Sequence, residues 1–348
     1  MAGENKIDEA DAVAQAMARA KSGDAAGAEA AYKILLHRDP FSVAGHIGKA
    51  QCRAYLGDEE GARLLYTRAL RLAEEGVLPA HVQPLRDEAA RALRDLRERA
   101  DRRRQARLAE RGISMSQQSP RLRHALDLAA GRRRIYPQEP TAFHYPSLPL
   151  RQFFDPREFG WAAQIEAAAP AIRAELDRAL AAGSEEFRAY IQEDAGSGPL
   201  GGNKALLNNK DWSVLALCEN GWLSPDLIRR FPLTWETILR APVPRIAGWG
   251  PTVIFSMLKA GARIAAHTGM FNTRLICHLP LIVPPGCRFR VGDEVRKWEK
   301  GKLLIFDDSV EHEAWNEGPG DRVVLIFDVW RPELSDRERY ELTALFSD

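Results

Sequence analysis

At 348 residues the chain exceeds what one typical hydrophobic core supports, so two domains are expected. A 45% hydrophobic share, 28% charged residues and a formal net charge of +1 exclude a disordered or collagenous chain and give no global pull toward nucleic acid. The four cysteines, Cys52, Cys218, Cys277 and Cys287, form no CxxC pair, which excludes a zinc ribbon and points to reduced thiols. The polar, acidic N-terminus and the lack of any run of about 18 apolar residues give no signal peptide or transmembrane segment, so a cytoplasmic location is expected.

In the N-terminal third, Gly23-Asp24 recurs as Gly57-Asp58, Ala28 as Ala62 and Tyr32 as Tyr66, each 34 residues later. That is the tetratricopeptide period, in which Gly-Asp turns the chain between two helices, Ala lets them approach and the aromatic fills their groove. Repeats are expected over about residues 9–42 and 43–76, followed by a charged helix near 83–110 that caps the stack. Such a surface suits a peptide or protein partner, or self-association. A helical hairpin with Gly-Asp turns but no repeat array is the plainer alternative.

Residues 99–134 carry Arg102-Arg103-Arg104 and Arg132-Arg133-Arg134, diluted by Glu98, Asp101, Glu110 and Asp127. They read as a solvated helix end and linker rather than a nucleic-acid or lipid patch. The expected division is a tetratricopeptide-like domain over 1–111, a basic linker over 112–140 and a second domain over 141–348. Pro137, Pro140, Pro146 and Pro149 punctuate an extended strap at its start. Apolar spacing predicts a helix over 159–180, then a strand over 212–217 and a helix over 234–239. Asn203, Asn208 and Asn209 read as turn chemistry, with a substrate-facing loop as the alternative.

After Gly248-Trp249-Gly250 come eight short strand candidates at 252–258, 263–267, 274–283, 287–291, 294–298, 302–307, 310–315 and 322–329. With no intervening helices they suggest a jelly roll or related double-stranded β-helix, cupin-like in form, with a cavity between its sheets. The fold class expected is α+β multidomain: all-α repeats, then this barrel with flanking helices. On the strand at 274–283, Arg274, Ile276, His278 and Ile282 share one face, and Leu275, Cys277, Leu279 and Leu281 the other. His267 and His312 lie 45 positions apart in strand-like segments, with His278 and Arg322 near them in sequence. That set can hold a metal ion and an anionic cosubstrate. Gly269, however, stands where a facial triad of two histidines and a carboxylate would place Asp or Glu. Asp307 or Asp308 is one candidate for the third ligand; Asp-Asp-Ser turn capping is the other reading.

The runs His267-Thr268-Gly269, Asn272-Thr273-Arg274-Leu275, His278-Leu279, Trp298-Glu299, Ile305-Phe306-Asp307-Asp308-Ser309, Glu311-His312-Glu313 and Asp328-Val329-Trp330 resemble the aspartyl/asparaginyl β-hydroxylase family of Fe(II)- and 2-oxoglutarate-dependent dioxygenases. The resemblance spans about residues 140–340 and implies an iron site of two histidines, His267 and His312, with no protein carboxylate. It further implies that Arg322 and Ser256 bind the distal carboxylate of 2-oxoglutarate, and that His278 contacts the carboxylate next to the ketone. O₂ is the co-oxidant. Ile276 departs from the pattern, because the family commonly has a second basic residue there. Arg274 matches an arginine associated with an acidic substrate group; a structural salt bridge with Asp307 or Asp308 is the alternative. The function implied is β-hydroxylation of an Asp- or Asn-type side chain in a peptide or protein, or of a related small molecule. A β-barrel binding protein that has lost turnover, with the repeats as a partner adaptor, is the rival.

Overall fold

A computed structural model describes residues 9–76, 82–183, 187–192 and 201–347, and the chain divides into two units, Met1–Arg134 and Ile135–Asp348. In the first unit α1 (Glu9–Lys21) and α2 (Ala25–Arg38) form one helical hairpin, and α3 (Val43–Tyr55) and α4 (Glu59–Glu75) a second. The repeated Gly-Asp pairs make both turns. Gly23 and Gly57 take φ of +87° and +84°, where glycine has no steric penalty. Asp24 and Asp58 then cap α2 and α4 by accepting the N–H of Gly27 at 2.8 Å and of Gly61 at 2.9 Å. Ala28 and Ala62 are fully buried, and Tyr32 lies so close to Gly48 that a Cβ there would fall 2.1 Å from its ring.

The charged helix is α5 (Gln83–Glu110), which adds Ala89, Leu93 and Leu96 to the core of the second hairpin. The stretch expected to be a linker instead carries α6 (Pro120–Ala130), packed against α5. Ser119 caps its start, Pro120 fits its first turn and Gly131 stops it at φ +73°. Arg132 is held by Asp127 at 2.7 Å and Asp101 at 2.9 Å, so the basic run is partly neutralised within the unit.

The second unit holds two antiparallel sheets. The larger contains β1 (Phe153–Phe154), β2 (Arg188–Ala189), β3 (Trp212–Glu219), β4 (Trp222–Leu223), β5 (Val253–Leu258), β7 (Arg274–Ile282), β10 (Leu304–Phe306) and β12 (Arg322–Trp330). Its order is β1-β10-β7-β12-β5-β3-β2, with β4 paired to β3. The smaller sheet, in the order β6-β11-β8-β9, contains β6 (Arg263–His267), β8 (Cys287–Val291), β9 (Glu294–Arg296) and β11 (His312–Asn316). Helices α7 (Ala162–Ala182), α8 (Pro225–Arg230) and α9 (Pro232–Ile238) precede the central strands, and α10 (Asp336–Phe346) ends the chain's described part.

Strand alternation sorts the side chains of the larger sheet into two sets. Leu275, Cys277, Leu279, Val323, Leu325 and Phe327 share a core with Ile165, Ile172 and Leu176 of α7. Arg274, Ile276, His278, Ser256 and Arg322 face the other way, toward the smaller sheet. A second core closes that side, with Leu258 and Val324 of the larger sheet against Ile264, Phe289 and Ala314 of the smaller. Ile282 departs from its expected face and packs on the helix side, because the pairing with β12 slips one residue between Ile282 and Pro280. Among the described residues no helix is long and apolar enough to cross a membrane.

Candidate active site

Between the sheets lies a cavity of about 320 Å³, and Ser256, His267, Arg274, His278, His312 and Arg322 all line it. The fold thus brings these six residues, spread over 67 positions of the sequence from 256 to 322, to one cavity. The smaller sheet contributes the histidine pair: His267 ends β6, His312 begins β11, and the two are direct register partners with ring centroids 4.2 Å apart. Nδ1 of His267 bonds the Ala265 carbonyl at 2.7 Å, and Nδ1 of His312 the Val310 carbonyl at 3.0 Å. A carbonyl only accepts, so each Nδ1 carries the proton and each Nε2 keeps its lone pair. Burial lowers both pKa values, that of His312 further because His267 is beside it, so both rings are neutral at neutral pH. Asn203 holds this edge of β6, accepting the Ala265 N–H at 2.7 Å; it is a structural clamp rather than simple turn chemistry.

Among the described residues no group of three or more His, Cys, Asp or Glu is placed to hold a metal ion. The reason Gly269 is glycine is steric: a Cβ there would fall 1.9 Å from Oδ2 of Asp308. Of the two aspartates, Asp307 makes the turn, accepting the Ser309 N–H at 3.0 Å and its hydroxyl at 2.5 Å. Asp308 faces the cavity instead, buried, with Oδ1 lacking any hydrogen-bond partner. Burial raises its pKa to about 7, against the pull of the Arg274 charge.

The larger sheet contributes Ser256, His278 and Arg322 from β5, β7 and β12, three strands in direct succession. Arg322 is 1% exposed, and its Nε and Nη2 have no hydrogen-bond partner. Burial lowers its pKa to about 10, which still leaves it charged at neutral pH. Its guanidinium lies 4.8 Å over the ring of Trp298. His278 takes the tautomer opposite to that of the other two histidines. Its Nδ1 receives the Trp298 indole N–H at 3.2 Å, so the proton sits on Nε2. Burial and then the charge of Arg322 keep this ring far below its ordinary pKa, hence neutral. Ser256 accepts the Trp212 indole N–H at 3.1 Å, which leaves its own hydroxyl hydrogen free to donate. This wall therefore offers hydrogens where the other offers lone pairs. Ile276 lines the same cavity without a polar atom.

Arg274 does form a buried ion pair, but its partner is Asp328 at 2.9 Å, while Asp307 is taken by Arg331 at 2.6 Å. The Trp249 carbonyl accepts a second bond from Nη1 of Arg274, and Nε has no partner. The sequence gives Trp298 and Trp212 no site role of their own, and offers one for Asp308 and Asn203 only as an alternative to turn chemistry. Each acts through a contact distant along the chain, and no local spacing signals it.

A family model described as aspartyl/asparaginyl beta-hydroxylase matches residues 166–332. The human aspartyl/asparaginyl beta-hydroxylase is 29% identical over 206 residues, 59% of this chain and 26% of that protein. The ornithine lipid ester-linked acyl 2-hydroxylase of Rhizobium tropici is 38% identical over 193 residues, 54% of this chain and 63% of its own length. The aspartate beta-hydroxylase domain-containing protein 2 of Rattus norvegicus is 32% identical over 216 residues, 60% of each chain. This chain spans less than two thirds of each of these relatives. The matched residues contain both histidine strands and the three strands that carry Ser256, His278 and Arg322, so the stretch that holds the cavity is the one that matches the aspartyl/asparaginyl β-hydroxylase family.

Proposed function

We propose that the second unit is an Fe(II)- and 2-oxoglutarate-dependent hydroxylase with a double-stranded β-helix fold, preceded by tetratricopeptide-like repeats that dock a protein partner. The observation that carries this is the opposed chemistry of the two cavity walls: two neutral histidines with free lone pairs face three hydrogen donors, one of them an unpartnered buried arginine. His267 and His312 would hold the iron through Nε2. Arg322 with Ser256 would take the distal carboxylate of 2-oxoglutarate, and His278 the carboxylate beside its ketone. A dianion suits that wall, since a buried guanidinium without a partner gains most from an anion that shares its desolvation. When bound, iron with 2-oxoglutarate and O₂ supplies the oxidation of an unactivated carbon, yielding succinate and CO₂ beside the alcohol.

The chain's own residues position these groups. Backbone carbonyls fix the two ligand tautomers. Asp328 and the Trp249 carbonyl hold Arg274 at the cavity wall through Nη1, and its Nε has no protein partner, so this arginine would be the group to meet an acidic part of the substrate. The substrate proposed is an Asp or Asn side chain of a peptide or protein, or a related small molecule. The four free buried thiols support a reducing, cytoplasmic setting. Ile276 favours the rival, a binding protein without turnover.

Succinate production from 2-oxoglutarate with added Fe(II), with and without candidate peptides, separates the two. Turnover is expected; its absence under every condition leaves the binding protein. His267→Ala and His312→Ala should each abolish Fe(II) binding with an unchanged circular dichroism spectrum, and unaltered iron affinity in both would remove the proposal.

A further inference from the structure

We propose that Trp298 is a positioning residue of the anion site, holding His278 in the tautomer that donates from Nε2 and carrying the Arg322 guanidinium on its ring face. The inference rests on the reading of that wall as the 2-oxoglutarate site and adds a residue to which no role has been given. Trp298 lies between β9 and β10, is 5% exposed, and is itself wedged by stacking on Phe289, ring centroids 5.2 Å apart and 29° from parallel. Its geometry toward the two donors is specific. The indole N–H reaches Nδ1 of His278 at 3.2 Å, and the centre of the Arg322 guanidinium stands 4.8 Å over the ring.

Chemistry makes the first contact a switch with one setting. Indole nitrogen donates only, so the nitrogen it meets must be the unprotonated one, and the single hydrogen of neutral His278 is forced to Nε2. An imidazole with the other tautomer would turn a lone pair toward a carboxylate and repel it. His267 and His312 show that alternative in the same cavity, their Nδ1 hydrogens fixed by carbonyls. One residue type thus serves as ligand or donor according to whether its Nδ1 meets a carbonyl or an indole. The second contact supplies the arginine with a favourable neighbour that carries no negative charge. A carboxylate beside Arg322 would quench it and compete with the anion; an aromatic face stabilises the cation and leaves its Nε and Nη2 hydrogens available.

Nuclear magnetic resonance of the full chain with ¹⁵N-labelled histidine tests this directly, because the two ring nitrogens of a neutral imidazole report which one is protonated. His278 in the wild-type chain should show a protonated Nε2 and a bare Nδ1. A protonated Nδ1 would overturn the proposal. Trp298→Phe keeps a ring under Arg322 but removes the donor; it should release His278 into a mixture of tautomers and weaken 2-oxoglutarate binding about tenfold in calorimetry with Mn(II) present. In turnover, KM for 2-oxoglutarate should rise while kcat stays near wild type. In a His278→Ala background the same substitution should cost nothing further. An equal loss in both backgrounds, or an unchanged His278 spectrum in Trp298→Phe, would reduce Trp298 to packing. The histidine spectrum needs no anion, so it decides the tautomer even if wild-type protein fails to bind 2-oxoglutarate, a result that would sink the functional reading alone.

Discussion

Asp308 shows most plainly how burial shapes single residues here. Its carboxyl titrates near 7 in the fold against an ordinary value of 3.8, so between those values the folded chain holds a proton that the unfolded chain has released. Folding stability therefore falls as pH rises through that window, and the cost is complete above about 7. Asp308→Asn cannot ionise, and its melting temperature measured without metal should exceed wild type by more at pH 8 than at pH 5. His278 and His312 run the other way: their folded pKa values are depressed, so their cost appears as pH falls below the unfolded value of 6.5. Gly269→Ala should lower the melting temperature by several degrees through its clash with Asp308, and adding Asp308→Ala should restore part of it. The glycine was readable in the sequence as a departure from the carboxylate triad. Its cause was not, since the carboxyl that excludes a side chain comes from 39 positions further on. Arg274 posed the same difficulty. Its charge called for a partner, but Asp328 meets it only once β7 and β12 are paired.

Elements were legible where periodicity was strong. Alternation along 274–283 placed Arg274, Ile276 and His278 on one face, as observed, and failed only at Ile282, where a register slip moves the chain by one residue. The charged helix is found at Gln83–Glu110, near where its composition placed it. Helix α6 was hidden because the arginines around it mimic a solvated link, although Ser119-Pro120 and Gly131 carry ordinary start and stop chemistry. The two-residue strands β1, β2 and β4 are too short to show any alternation of their own. How the turn before β11 is held was equally hidden. Arg331 and Asp307, both fully buried, clamp β12 to it at 2.6 Å, with Gln138 on the same carboxylate oxygen. Arg331→Leu strands a buried carboxylate and should cost about 3–5 kcal/mol in urea unfolding. Asp307→Asn combined with Arg331→Met should cost clearly less; equal losses would mean that the arginine's volume, not its charge, matters.

Across the whole second unit, the division of labour between the sheets has a mechanical consequence. The lone pairs of His267 and His312 belong to paired strands of the smaller sheet, and the hydrogens of Ser256, His278 and Arg322 to three adjacent strands of the larger. No strand carries both. A ligand that chelates the metal with one end and meets Arg322 with the other would therefore act as a removable cross-link between the sheets. Hydrogen exchange should register this as synergy. Mn(II) alone should slow exchange in β6 and β11, 2-oxoglutarate alone should slow it weakly in β5, β7 and β12, and both together should protect the two sheets beyond the sum. Simple additivity would mean that the sheets are already locked by their shared core of Val324, Phe289 and Ala314. With synergy, a ligand spanning the gap would also be a rivet, and the space between the sheets would be stiffest while that ligand is bound.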